Sequence, residues 1–339
     1  MAAGVYVQTN EPDVNRVIAF RRAPNGVLAA LGASPTGGAG DGVPHLTSQG
    51  SVVLTDDGRH LLVTNAGSDD VSVFSVGEGG IELLQTVPTG GTAPKSVAEH
   101  DGLVYALNTG EPCLTGLRLG ANGLEPLSGS ARVLSPDADP AQVGFHPDGA
   151  ALVVTERGTD SIATYPVEAD GLLGASRTHP SSGATPYGFA FTSGGGTLVV
   201  TEAFGAQTGK AAASSYAVDN GSIAAVTRSA GNGRSEICWA VVSKDDRYAF
   251  TTNFADGAVS RYAIQSDGSI RLDDAVAATA VEGQPGLRDE DLTADGRFLY
   301  AIDADSQRIF GWGVGEDGSL DPVGSWEGVP PTVAGLAAS

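Results

Sequence analysis

The side chains best suited to chemistry in this chain are carboxylates, amides and guanidiniums at recurring positions. Glu156 and Glu202 each close the same pentapeptide, LVVTE. Glutamate is a poor turn former, so its repetition at a strand end points to more than turn formation. Glu202 as a general base, with Glu156 orienting it or acting as the acid partner, would suit activation of water or abstraction of a proton. Arg234 and Arg288 stand just ahead of two further strand-like runs. Either could hold an oxyanion or a substrate carboxylate; the alternative is an ion pair with Glu236, Asp289 or Glu290. Asn65, Asn253 and Asp303 close equivalent runs and could hydrogen-bond a substrate, or cap a turn through their own side chains. Tyr187 and Trp239 could floor a pocket or pack between repeats. Gln49 and Gln142 occupy comparable places ahead of strands and join the substrate-binding candidates.

Other chemistry lacks its motif. There is no GxSxG elbow, HExxH pair, P-loop, GxGxxG or CxxC. His100, His146 and His60 fall where structural roles are expected, whereas His45 and His179, in loops that lead into inner strands, remain acid–base candidates. No cofactor is required by the sequence. A calcium ion held by the Asn, Glu and Asp ends is an option that no spacing demands.

These residues sit at matching places because the chain repeats. Strand-like runs close on Asn10, Asn65, Asn108, Glu156, Glu202, Asn253 and Asp303. Dividing the 339 residues among seven units gives about 48 each, near the length of a four-stranded propeller blade. The clearest unit runs from Ser51: SVVLT, a turn at Asp56-Asp57-Gly58, HLLVTN, a loop, VSVFSV with period-two alternation, then IELLQ. Third strands carry Phe20, Phe74, Tyr165, Tyr216, Tyr262 and Trp312 at one register, with Leu117 as the exception. The turns that follow are Asn25-Gly26, Gly79-Gly80, Asn122-Gly123, Asp170-Gly171, Asn220-Gly221, Asp267-Gly268 and Asp317-Gly318, residues that suit tight hairpins.

The expected fold is therefore all-β: a seven-bladed β-propeller of four-stranded antiparallel blades filling residues 1–339 as a single unit. Blade 1 is expected from 2–31 plus 332–339, and blades 2–7 between about 46 and 328. The chain opens on a second strand, GVYVQTN, and ends on an unpartnered VAGLAA. The C-terminal strand is expected to complete blade 1 and remove an exposed edge. In such blades the end of the second strand and the start of the inner strand share a face. The polar closers and the loops leading into the inner strands should thus meet at one mouth of the central channel. The segment Ala203–Ser214, the longest second-to-third connection, could cover that mouth as a lid.

Composition narrows the partners. A net charge of −21 repels nucleic acid and anionic membrane surfaces. A small-molecule substrate and a monomeric protein are expected. Cys113 and Cys238 fall in different repeats, which argues against a disulfide. No apolar stretch of about 18 residues and no leader are visible. The compartment stays open between cytoplasmic and secreted with a leader removed.

The repeats resemble the seven-bladed propeller lactonase family, which includes propeller-type 6-phosphogluconolactonases and carboxymuconate-cyclase-like proteins. The stretches that carry the likeness are SQGSVVLTDDGRHLLVTNAGSDDVSVFSV, PAQVGFHPDGAALVVTERGTDSIATYPV, TPYGFAFTSGGGTLVVTEAFG and CWAVVSKDDRYAFTTNFADGAVSRYAI. They are most similar to a bacterial branch named only for its lactonase-like propeller. The resemblance implies a lactonase-type hydrolase, or a cycloisomerase or lyase using the same groups, acting on a lactone or related cyclic carboxylated molecule at the channel mouth. A non-catalytic ligand- or protein-binding propeller is the alternative. Family members tend to carry Pro-Arg-His ahead of inner strands, where this chain has Pro94-Lys95-Ser96 and Pro140-Ala141-Gln142. The family's His and Arg have no counterparts at those positions, which leaves Glu202, Glu156, Arg234 and Arg288 as its catalytic candidates.

Overall fold

The computed structural model describes residues 3–44, 49–121, 123–219 and 221–339; His45 and the turn residues Asn122 and Asn220 lie outside the described residues. Its strands pair only with neighbours in the same repeat, giving seven antiparallel sheets. Blade 2 shows the plan: inner strand Val52–Leu54, second His60–Asn65, third Asp70–Gly77 and outer Gly80–Pro88. Inner strands pack side by side in a closed cycle, from blade 1 through blade 7 and back to blade 1.

The ring closes as the sequence predicts. Ala334–Ala338 pairs antiparallel with Gly4–Gln8, supplying the inner strand of blade 1. The outer strand of that blade runs on to Pro35, past the expected limit at residue 31. In blade 3 the outer edge is split between Gly123–Pro126 and Arg132–Val133.

The third-strand aromatics explain how blades stack. Phe20, Phe74, Tyr165, Tyr216, Tyr262 and Trp312 are buried, as is Leu117. Each lies opposite an apolar second-strand residue, for example Phe74 with Leu61 and Trp312 with Leu299. One large side chain per blade at a fixed register fills the wedge between neighbouring sheets. Transfer of such side chains from water contributes roughly 1.5–3 kcal/mol each.

One irregularity recurs and matters for the site. The inner strands of blades 3 to 7 each carry one extra residue near their start, against the end of the second strand. In blades 5, 6 and 7 these bulges fall at Tyr187–Gly188, Cys238–Trp239 and Arg288–Asp289. A bulge twists its strand and re-aims the side chains on it. Pro94, Pro140 and Pro186 begin three of these strands, where a missing N–H costs no ladder bond.

Candidate functional site

The register confirms that strand ends and inner-strand starts share a face: Glu202 lies opposite Pro186, Asn253 opposite Ile237 and Asp303 opposite Leu287. On this face a cavity of about 490 Å³ opens over blades 4 to 7. Its walls come from the three bulges, which present Tyr187, Cys238, Trp239 and Arg288. Arg157 and Thr185 lie to one side, Glu236 and Phe254 to the other, and Gly205 and Ala206 of the 203–214 connection form part of the rim.

Aromatic rings and guanidiniums organise this space. Tyr187 and Trp239 meet edge to face at 5.9 Å. The Arg157 guanidinium stands 5.0 Å from the centre of the Tyr187 ring, and that of Arg288 4.8 Å from the Phe254 ring, within the range of a cation–π contact. The two arginines differ in charge balance. Arg157 is paired with Asp139 at 2.6 Å. Arg288 is 2% exposed, and its Nε and Nη2 have no hydrogen-bond partner among the described residues. Neither Arg234 nor Arg288 forms the ion pair with Glu236, Asp289 or Glu290 that was the alternative reading of the sequence, among the described residues.

Burial sets the protonation of the wall. It pushes the Cys238 thiol up to about 12, with the negative charge of Glu236 adding to the effect and Arg288 and Arg157 opposing it. The thiol therefore stays neutral and donates to the Glu236 carbonyl at 3.4 Å; a nucleophilic thiolate is not available near neutral pH. The Tyr187 hydroxyl is likewise held protonated by burial. Burial lowers the pKa of Arg288, and nearby Asp305 and Asp303 oppose the shift. An arginine nonetheless stays charged.

The polar closers are arranged differently from the expected ring. Their side chains turn into the seams where one blade's chain passes to the next. Asn65 accepts from Thr36 and Asn15 and donates to Asp70 and Ser72. Asn108 joins Thr89 to Thr115. Glu156 accepts from Ser135, Thr159 and Ser161. Glu202 accepts from Gly183 N, Ser214 and Ser229, and burial raises its pKa. Asn253 joins Asn232 to Ser260. Asp303 accepts from Ser306 N at 2.8 Å. The structure thus does not bring Glu156, Glu202, Asn65 or Asn253 into the cavity, nor Arg234. Of the sequence candidates, it brings together Tyr187, Trp239 and Arg288.

Gln49 and Gln142 stand beneath the cavity, along the inner strands. The Gln49 side chain bonds both N–H and C=O of Ala240, and Gln142 does the same to Phe189. His179 lies in the outermost strand of blade 4, 3.3 Å from Thr164 Oγ1, rather than in a loop leading to an inner strand. A hollow of about 400 Å³ on the opposite face contains His146. Both of its ring nitrogens are engaged, by Asp148 and by the Gly195 carbonyl. Among the described residues, no three His, Cys, Asp or Glu side chains group as metal ligands, and no helix is long and apolar enough to cross a membrane.

Sequence reasoning missed three things. Arg157 follows Glu156 directly and was passed over for the closer itself. Glu236 was read only as an ion-pair partner. The threonine before each closing glutamate was not singled out: Thr155 Oγ1 donates to Tyr187 O, and Thr201 Oγ1 to Cys238 O, both at 2.6 Å. The repeated LVVTE contained that signal, since each threonine hydroxyl grips the bulge of the next blade.

The model of the family described as "Lactonase, 7-bladed beta-propeller" matches residues 6–119, 127–204 and 202–332. No curated protein matches the chain. Solved structures are similar over nearly the whole chain. The periplasmic gluconolactonase PpgL of Pseudomonas aeruginosa is 19% identical, covering 99% of each chain with a TM-score of 0.75. A Bacteroides uniformis protein provisionally described as a 6-phosphogluconolactonase is 17% identical, covering 99% of this chain and 100% of its own, with a TM-score of 0.76. A Lactobacillus plantarum protein reaches a TM-score of 0.78 at 16% identity, covering 99% of each chain. At such identities the likeness establishes the fold.

Proposed function

The chain belongs to the seven-bladed β-propeller lactonase family, and from that membership we propose that it hydrolyses a lactone in the cavity over blades 4 to 7. The observation that carries the reading is Arg288: a buried guanidinium lining a cavity, with two nitrogens unpartnered among the described residues. Buried guanidinium N–H groups left without acceptors are costly unless a ligand oxygen meets them. Lactone hydrolysis creates an anionic oxygen twice, as the tetrahedral oxyanion and as the product carboxylate.

The proposed step is water addition. Glu236, a carboxylate on the cavity wall, takes a proton from water as the oxygen attacks the lactone carbonyl. The carbonyl oxygen becomes an oxyanion facing Arg288, which stabilises it in a site of low dielectric. The ring C–O bond then breaks, and the alkoxide takes the proton back from Glu236. The resulting hydroxy acid ionises to a carboxylate, releasing one proton per turnover. Tyr187 and Trp239 hold the ring of the substrate. Cys238 stays a thiol and serves as a neutral wall.

The test is proton release from a panel of lactones, with and without calcium and chelator, using the intact chain and Arg288→Met. Turnover that falls by about 10²–10³ in the variant, the size seen on removing an oxyanion donor, supports the reading. Equal turnover in both proteins would remove Arg288 from it.

A further inference from the structure

Resting on that reading of the cavity, we infer that its substrate is an uncharged lactone with a planar, apolar body, not a polyhydroxylated or phosphorylated sugar lactone. The charges and hydrogen-bonding groups of the cavity separate these classes. Arg157 is paired with Asp139 at 2.6 Å, and nearby Asp305 and Asp303 offset the charge of Arg288, so among the described residues neither cavity arginine brings surplus positive charge. Arg288 offers two guanidinium nitrogens unpartnered among the described residues, enough for the one oxyanion that hydrolysis itself generates. A phosphate would bring further negative charge with no cation left to meet it, in a chain whose net charge is already −21. Phosphate recognition ordinarily uses several charged or backbone donors converging on its oxygens.

The remaining polar groups are few, and two are engaged in part. Thr185 Oγ1 accepts from Gly205 N, and the Cys238 thiol donates to the Glu236 carbonyl. Of the side chains left, the Glu236 carboxylate is committed to the reacting water, and the hydroxyls of Tyr187 and Thr185 remain as donors. A sugar ring carries more hydroxyls than these few groups can meet, and each one buried without a partner costs about 1–3 kcal/mol. The wall is instead built largely from Tyr187, Trp239 and Phe254, with Arg157 and Arg288 over one face of the Tyr187 and Phe254 rings, and such a wall suits a flat apolar ring.

Three probes separate the classes: dihydrocoumarin, glucono-δ-lactone and 6-phosphoglucono-δ-lactone. Hydrolysis by the intact chain, followed as proton release, should favour dihydrocoumarin over the phosphorylated lactone by at least about a hundredfold in kcat/KM. Phe254→Ala should raise KM for dihydrocoumarin at least about tenfold; Phe254→Leu, which keeps an apolar wall without the ring, guards against a folding defect. Binding is measured independently of turnover with 3-(2-hydroxyphenyl)propanoate and 6-phosphogluconate. Preference for either sugar lactone over dihydrocoumarin would overturn this inference and leave lactone hydrolysis standing. Silence toward all three lactones, with the aryl hydroxy acid still bound at least about tenfold more tightly, would sink hydrolysis and uphold the ligand class. Binding of neither acid would overturn both.

Discussion

The side-chain amide of Gln49 hydrogen-bonds both the N–H and the C=O of Ala240, at 3.1 and 2.9 Å, across 191 residues of chain. It acts as one link of a strand that is not there. The inner strand of blade 6 has a free edge, and Gln49 satisfies it directly behind Trp239. Gln142 repeats the arrangement on Phe189, two residues beyond Tyr187. The two aromatic walls of the cavity are therefore pinned from beneath by two glutamines.

Gln49→Ala should leave the Ala240 amide and carbonyl without these partners. Each lost hydrogen bond to a buried group costs about 1–3 kcal/mol, so the variant should be destabilised by roughly that amount or somewhat more. Denaturant titration measures the loss. Gln49→Glu should be no rescue, because a carboxylate cannot donate to the Ala240 carbonyl.

Glu236→Gln should abolish the proposed base while keeping its shape. General-base catalysis contributes about 10²–10⁴ in rate, and kcat should fall within that range while product binding changes little. A variant with kcat preserved would show that another group activates the water.

Glu202→Gln should behave in the opposite way. Its carboxylate accepts from Gly183 N, Ser214 and Ser229 in the seam between blades. Hydrogen bonds to a charged group are worth about 1.5–3 kcal/mol, so stability should drop on that scale. Turnover per folded molecule should stay within about twofold. A collapse of kcat with an unchanged melting temperature would return Glu202 to the chemistry.

The contrast between Glu202 and Arg288 shows what the sequence could and could not disclose. Repeat length, hairpin turns and the third-strand aromatics are local patterns, and they specified seven blades, their order and the closing strand. That strand ends and inner-strand starts share a face followed from strand direction alone. Which polar side chains point into a cavity depends on bulges, and the one-place shift a bulge makes in a period-two pattern is hidden in six-residue strands buried on both faces. Glu202 and Arg288 thus looked alike on paper, and only the bulge at Arg288–Asp289 directs one of them to the mouth. Gln49 was visible as a polar residue near the channel, but its partner lies 191 residues away.

Three consecutive acids in the inner strand of blade 7 should make stability depend on pH. Asp289, Glu290 and Asp291 are all shifted upward, first by burial. Asp291 reaches about 6, with Ala338 N and Leu292 N donating to it and Lys244 opposing the shift. An acid whose folded pKa exceeds its unfolded value binds its proton more tightly when folded. Its contribution is therefore present below about 4 and is lost as pH rises through about 6. At roughly 1.4 kcal/mol per pH unit between the two values, the ceiling for Asp291 is about 3 kcal/mol. Denaturation midpoints should fall between pH 4.5 and 7.5, and Asp291→Asn should flatten that slope. A slope unchanged by the substitution would assign it to Asp289 and Glu290.

Thr201→Val tests whether bulge geometry governs activity. Thr201 is fully buried; it donates to Cys238 O at 2.6 Å and accepts from Gly188 N at 3.0 Å. One hydroxyl thereby ties the bulge of blade 5 to that of blade 6. Valine keeps the volume and removes both bonds, so a stability loss of about 1–3 kcal/mol is expected. The more telling readout is kinetic. If the bulges place Tyr187 and Trp239, loosening them should raise KM more than it lowers kcat, because ring contacts are made in ground and transition states alike. Equal KM values in the variant and the parent, at a reduced melting temperature, would mean that the bulge holds its shape without the threonine.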